Sequence, residues 1–264
     1  MDFSSYTAFT FERSGGVLYA TINNPDKMNS LSGPAELEVS KLFYDVTTDE
    51  ATRVLVITGA GERAFSAGGD INHIRTIIDN PDEFYVAVVN AKRIVNFILD
   101  CPKPIIAKVN GIAAGLGATI ALMADVVFAA DHAKFADPHV KVGLTAGDGG
   151  AVAWPTLIPG LAKHYLMTGD PITAQDAERL GMIYKCLPAA ELDEVVETYA
   201  QRLATGPRRA IETSKMSVNV RLKQIAAISL DAGIAYEALS SHSTDHLEAV
   251  NSFLDKRKPS FTGK

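Results

Sequence analysis

A chain of 264 residues that is 47% apolar, 21% charged and 8% aromatic has the composition of an ordinary globular protein and excludes intrinsic disorder. At this length roughly 70 to 75% of the extended surface is buried on folding, so no staples are needed, and Cys101 and Cys186 are expected as core thiols in a reducing compartment. The net charge of -6, with no basic cluster beyond Lys256-Arg257-Lys258, argues against a nucleic-acid partner. The longest uncharged apolar stretch, residues 109–124, contains Asn110 and three glycines and is too short to span a membrane. Met1-Asp2-Phe3-Ser4-Ser5 starts acidic and shows no secretory signal, so a cytoplasmic protein is expected.

Residues 7–13 and 17–22 flank Ser14-Gly15-Gly16 and read as an opening β-hairpin. The polar run from Asn23 to Ser30 is a long turn. Ser32 and Pro34 then start a helix whose apolar positions Ala35, Val39, Leu42, Phe43 and Val46 follow the helical period. Val54-Leu55-Val56-Ile57 is an unbroken apolar run, the pattern of a strand buried on both faces of a parallel sheet, and it recurs at 105–109 and 126–129. Helical stretches at 83–99 and 115–123 fill the gaps, so the expected class is α/β. From Ala190 onward the strands stop. Helices are expected over 191–204, 208–220, 224–239 and 244–255, which divides the chain into a core of residues 1–200 and a helical region of residues 201–264. Ile225, Ile228, Leu230 and Ile234 in that region are expected at subunit contacts.

Gly59-Ala60-Gly61-Glu62-Arg63-Ala64 follows a strand and matches a dinucleotide fingerprint, but the adjacent Gly68 and Gly69 would break the helix that the fingerprint requires. His242 and His246, four apart with Asp245 between them, have helical metal-ligand spacing without a third ligand, so no metal is expected. More informative are two glycine-rich segments that each follow a strand and lead into a helix, one from Ala64 to Asp70 and one from Asn110 to Ala118. Such turns leave backbone N–H groups free, and two of them side by side could aim two donors at one oxygen; either taken alone reads first as a plain chain reversal.

Asp26-Lys27-Met28-Asn29-Ser30-Leu31-Ser32, Ala64-Phe65-Ser66-Ala67-Gly68-Gly69-Asp70, Lys103-Pro104-Ile105-Ile106-Ala107-Lys108-Val109-Asn110-Gly111 and Phe253-Leu254-Asp255-Lys256-Arg257-Lys258-Pro259 together resemble the enoyl-CoA hydratase/isomerase (crotonase) superfamily, in its order and spacing over essentially the whole chain. The resemblance implies a spiral of βαβ units with a C-terminal helical trimerisation region, assembled as a homotrimer or homohexamer. It implies an acyl-CoA thioester ligand, with coenzyme A present as part of the substrate and no separate cofactor. The thioester oxygen would receive the N–H groups of Gly69 and Leu116, the latter at a position where the family usually has glycine. Lys27, Met28, Ala67, Gly68 and Asp70 match substrate and CoA contacts, and Phe253 with Lys256 matches an edge that covers a neighbour's ligand. Asp70 also reads as a structural turn residue.

Hydratases of this family use two glutamates to hold and deliver water; Thr119 and His139 occupy the matching positions here. Asp148, nine residues after His139 (148 - 139 = 9), makes a pair similar to that of the β-diketone hydrolase branch, which includes 6-oxocamphor hydrolase. An aspartate beside a histidine orients the ring and favours its protonated form. The plainer alternatives are a helix cap for Asp148 and a backbone-satisfied loop ring for His139. Three functions are carried forward: an acyl-CoA enzyme working through a thioester enolate, a C–C bond hydrolase of a β-diketone or β-keto thioester using His139 and Asp148, and a non-catalytic acyl-CoA-binding homologue.

Overall fold

In the computed structural model, which describes residues 1–264 except the side chain of Pro81, the chain opens with β1 (Phe9–Ser14) and β2 (Val17–Ile22), an antiparallel hairpin with Ser14 opposite Val17. The polar segment after it makes one 3-10 turn at Pro25–Lys27, and Pro34, whose φ is preset for a first helical turn, starts α1 (Pro34–Thr48). Val39, Leu42, Phe43 and Val46 of α1 are fully buried. At its far end the buried Lys103 donates from Nζ to the carbonyls of Val46 and Asp49, each at 2.6 Å, so a cation satisfies orphan C=O groups at the negative end of the helix.

The chain then winds as a spiral in which each turn gives one strand to a large sheet, one short strand to a small sheet, and helical cover. The first turn is β3 (Val54–Gly59), β4 (Ala64–Ser66), α2 (Ile71–Ile78) and α3 (Pro81–Asp100); the second is β5 (Ile105–Val109), β6 (Ile112–Ala114) and α4 (Leu116–Leu122). The third begins with β7 (Val126–Ala130) and β8 (Lys134–Ala136), passes a 3-10 turn at His139–Val142, and continues through α5 (Gly150–Leu157), α6 (Ala162–Thr168), β9 (Ile172–Thr173), α7 (Ala174–Arg179) and β10 (Lys185–Leu187). The large sheet has the order β1-β2-β3-β5-β7-β10 and is parallel beyond the hairpin; the small one runs β4-β6-β8-β9, with only its last pair antiparallel. Every residue of β3 is buried, as its unbroken apolar run requires, and each large side chain such as Leu55 or Ile57 contributes about 1.5–3 kcal/mol by leaving water.

The helical end consists of α8 (Ala189–Ala204), α9 (Arg208–Ser241) and α10 (Thr244–Leu254). The α/β class and the helical region agree with the expectation, and the differences have physical causes. Strands β4, β6 and β8 have three residues each, too few to show a two-residue period, and lie within or beside segments that read as turns. The two helices expected over 208–220 and 224–239 are one, because Arg221, Leu222 and Lys223 are good helix formers with no Gly or Pro among them. The boundary expected after residue 200 falls inside α8. Leu230 and Ile234, expected at subunit contacts, instead join Ala226 of the same helix, Val95 and Leu99 of α3 and Val152 of α5 in a second core cluster, while Ile228 is 80% exposed. Cys101 is buried and Cys186 only half-buried.

Candidate active site

The two glycine-rich turns touch. Gly68 has φ +77°, and a Cβ there would lie 2.6 Å from the Ala114 oxygen and 3.2 Å from the Leu116 nitrogen, so only glycine permits this approach. Gly69 follows in one turn, and Leu116 opens α4 in the other. Neither N–H donates to another group among the described residues, and both residues line one pocket. The first turn is held from the side: Met28 accepts the Ala67 N–H at 2.9 Å, and Gly68 accepts the Leu31 N–H at 2.8 Å. Asp70 donates its N–H to Ser32 Oγ at 2.6 Å and caps α2 by accepting the Asn72 N–H at 2.9 Å. Its carboxylate also receives the exposed Lys27 Nζ at 3.3 Å. Burial works against the charge on Asp70, but the Asn72 hydrogen bonds and Lys27 outweigh it and hold the carboxyl below its usual range.

The pocket has a volume of about 390 Å³. Ile74, Ile77, Phe84, Leu144 and Ile234 make it largely apolar, and Glu36, His139, Asp148 and Glu237 form its polar part. The loop after β8 presents His139 with Nδ1 donating to Oδ1 of the fully buried Asp137 at 2.5 Å and Nε2 standing 3.6 Å from Asp148 Oδ2. Burial opposes charging of the imidazole, yet Asp148 and Asp137 prevail and hold its pKa well above 6.5. Burial pushes the Asp148 carboxyl up, His139 pulls it back and Asp137 adds to the rise. Glu36 is pushed up to about 8 by burial and then by Asp148 and Glu237. Glu237 is also pushed up to about 8 by burial, with Asp148 and Asp137 raising it further against the pull of His139. One imidazolium thus sits among four carboxyl groups, two of which are largely protonated at neutral pH.

The enoyl-CoA hydratase/isomerase family model matches residues 12–264. This chain belongs to that family. It is 34% identical over 258 residues to the crotonyl-CoA hydratase of Syntrophomonas wolfei, with 96% of each chain covered. The crystal structure of an enoyl-CoA hydratase/isomerase from Mycobacterium paratuberculosis superposes with a TM-score of 0.90 at 33% identity, covering 95% of this chain and all of the other. A β-diketone hydrolase from the cyanobacterium Anabaena, solved with (S)-3-oxocyclohexyl acetic acid bound, superposes with a TM-score of 0.84 at 28% identity, covering 91% of this chain and 96% of the other.

In this enoyl-CoA hydratase/isomerase family member Gly69, Leu116, His139 and Asp148 come together in one pocket, with Lys27, Met28, Ala67, Gly68 and Asp70 along the turn beside it. Thr119, Phe253 and Lys256 are not among the pocket-lining residues. Thr119 is fully buried behind Gly149 and its hydroxyl has no partner among the described residues, so it presents nothing to a ligand. Phe253 is exposed at the end of α10. Gly149 holds the N-cap position of α5 without a side-chain cap bond, yet the N–H of Gly150 at the start of that helix acts on the Asp148 carboxylate and lowers its pKa, so Asp148 stands at the helix start as well as beside His139. Asp137, and not Asp148, makes the hydrogen bond to Nδ1, and Asp148 faces the other ring nitrogen. His242 follows α9 as its C-cap whereas His246 lies in α10, and each Nδ1 binds a backbone carbonyl, that of Ala238 and that of Val142. After Gly59-Ala60-Gly61 comes strand β4, with no helix at the glycines to hold a pyrophosphate.

Three site residues escaped the sequence reading. Asp137 stands two residues before His139, a spacing that a turn can close. Glu36 shares a helical face with Val39 and Phe43, and Glu237 with Leu230 and Ile234, so each is a carboxylate on an apolar stripe. A charge on a buried face without a partner is the signal that would have found them.

Proposed function

We propose that this pocket binds an acyl-CoA thioester with its carbonyl oxygen between the N–H groups of Gly69 and Leu116, and that the reaction passes through the thioester enolate. The observation that carries this reading is that two unpaired amides share a pocket with a histidine whose far nitrogen is held by Asp137. Hydrogen bonds to that oxygen strengthen as it takes on enolate charge, and losing one donor of this kind costs about 3 kcal/mol of transition-state stabilisation. In hydration, water adds to C3 and gives its proton to the Asp148 carboxylate, the electron pair moves to the thioester oxygen, and His139 Nε2 protonates C2. Transfer of a proton from Asp148 to Nε2 across their 3.6 Å separation restores the site.

A second reading is favoured by the His139–Asp148 pair together with the likeness to the β-diketone hydrolase. Water adds to a 3-keto carbon and gives one proton to the Asp148 carboxylate, the C2–C3 bond breaks to release the carboxylic acid, its electron pair becomes the same enolate, His139 protonates C2, and the proton on Asp148 returns to Nε2. Products distinguish the two. Conversion of crotonyl-CoA to 3-hydroxybutyryl-CoA supports the first, and cleavage of 3-oxobutyryl-CoA to acetate and acetyl-CoA supports the second. In either case His139→Ala should lower kcat about 100-fold or more without loss of CoA-ester binding. Tight binding with no turnover of either ester would leave a non-catalytic homologue.

The reading includes a cytoplasmic homotrimer or homohexamer. Val218, Val220, Ile228, Tyr236 and Leu239 are exposed along α9, an apolar surface suited to subunit contacts. Light scattering that returns the 28.2 kDa monomer would reject the assembly.

A further inference from the structure

Glu36 enters the pocket from the first turn of α1, and Glu237 enters from α9. Glu36 is only 8% exposed and its carboxyl makes no hydrogen bond to another group among the described residues, whereas the Glu237 carboxyl lies against the backbone N–H of Gly147, which opposes its rise. Burial and the neighbouring Asp148 push both acids up to about 8, so near neutral pH they offer O–H donors instead of negative charge. A buried donor without an acceptor is costly, and an oxygen on a bound ligand removes that cost. The place of that oxygen follows from the turns. His139 Cε1 lies 3.6 Å from where a Cβ on Gly115 would be, so the ring packs against the residue before Leu116. With the thioester oxygen at the Gly69 and Leu116 amides, the rest of the acyl group would occupy the same pocket, whose polar wall is made by His139, Asp148 and Glu36, with Asp148 close enough to Glu36 to act on its charge.

We infer that Glu36 is a specificity-determining residue that recognises a second oxygen at the 3-position of the acyl group, so that the preferred ligands are 3-oxo or 3-hydroxy acyl-CoA thioesters over plain alkyl ones. This rests on the CoA-thioester reading above and names its substrate class. A pocket built to hydrogen-bond a ligand oxygen discriminates against the analogue that lacks it, because its own polar group is then left unpaired.

Displacement of a fluorescent CoA analogue, read before turnover, gives dissociation constants for 3-oxobutyryl-CoA and butyryl-CoA. The wild type should prefer the 3-oxo ester by about tenfold, the size of effect expected from one well-placed hydrogen bond. Glu36→Gln should keep most of that preference, since its amide N–H donates where the acid did. Glu36→Leu should bind the two esters equally while holding butyryl-CoA at least as tightly as the wild type. Should the leucine variant bind neither ester, Glu36→Ala decides by the same criterion. Equal binding of the two esters by the wild type, or a preference that survives in the leucine or alanine variant, overturns the assignment. If both esters bind alike the CoA reading stands and only the role of Glu36 falls; if neither displaces the probe from the wild type, the CoA reading itself fails.

Discussion

His139 donates from Nδ1 to Asp137 Oδ1 at 2.5 Å, which points its other nitrogen at Asp148. Asp137 is fully buried, so its charge is committed to this ring, and one of its oxygens has no other partner among the described residues. It acts as a positioning residue. Asp137→Asn preserves the shape but removes the charge that holds the imidazolium, so kcat should fall about 100-fold or more with ester affinity retained. The limb of the pH–rate profile that belongs to His139 should move to lower pH. An unchanged profile would mean that Asp137 only fills space.

His139→Ala and Asp148→Asn should each remove most of the turnover, and the double variant should be little worse than either, because groups that pass one proton between them are lost as a unit. Rate losses that multiply would show two independent roles. Titration calorimetry with a CoA ester should return near wild-type affinity for all three proteins.

Gly68→Ala should weaken ligand binding and stability together. The new Cβ would meet the Ala114 carbonyl at 2.6 Å in a backbone conformation with φ +77°, so the two turns must separate. A loss of about 2 kcal/mol or more is expected in urea unfolding. The same substitution at Gly160, where a Cβ meets nothing within 4 Å, serves as the control.

Thr119→Val tests whether the residue at a family glutamate position still has a chemical role. The hydroxyl is buried without a partner among the described residues, so replacing it with a methyl group of similar shape should be neutral or stabilise by about 1 kcal/mol. Turnover should not change. A loss of activity would bring Thr119 back into the site.

The strands that carry the large sheet were legible because Val54-Leu55-Val56-Ile57 and its two counterparts are apolar without interruption, which only a doubly covered strand tolerates. β4, β6 and β8 were not, since three residues show no period. At the site, the turns of Gly69 and Leu116 could be read from their glycines and their place after strands, and His139 with Asp148 from the likeness of their spacing. Glu36 and Glu237 are 201 residues apart (237 - 36 = 201), and only the fold of α9 over α3 and α5 brings them to one pocket. Local pattern contains no trace of such a meeting beyond the misplaced charge on each apolar face.

Unfolding at several pH values checks the protonation state on which the Glu36 assignment depends. In the folded chain this carboxyl is pushed up to about 8 from 4.5, whereas the unfolded chain ionises it near 4.5. The folded state is therefore favoured fully below 4.5, loses that advantage as pH rises towards 8, and changes no further above it, with a slope of up to about 1.4 kcal/mol per pH unit in between. His139 acts in the same direction: its raised pKa contributes stability that is complete below 6.5 and is lost as pH rises through its folded value. Carboxylates outside the site, such as Glu248 bound by Arg257, favour the folded state at higher pH but do so equally in wild type and variant. The difference between the two proteins reports Glu36 together with its charge coupling to Asp148 and Glu237, which share the pocket. Glu36→Gln should be no more stable than the wild type at pH 5 and more stable at pH 8, with a crossing between them. Parallel curves would show that Glu36 is already ionised at pH 5, and the pocket would then present a charge where a neutral donor is expected.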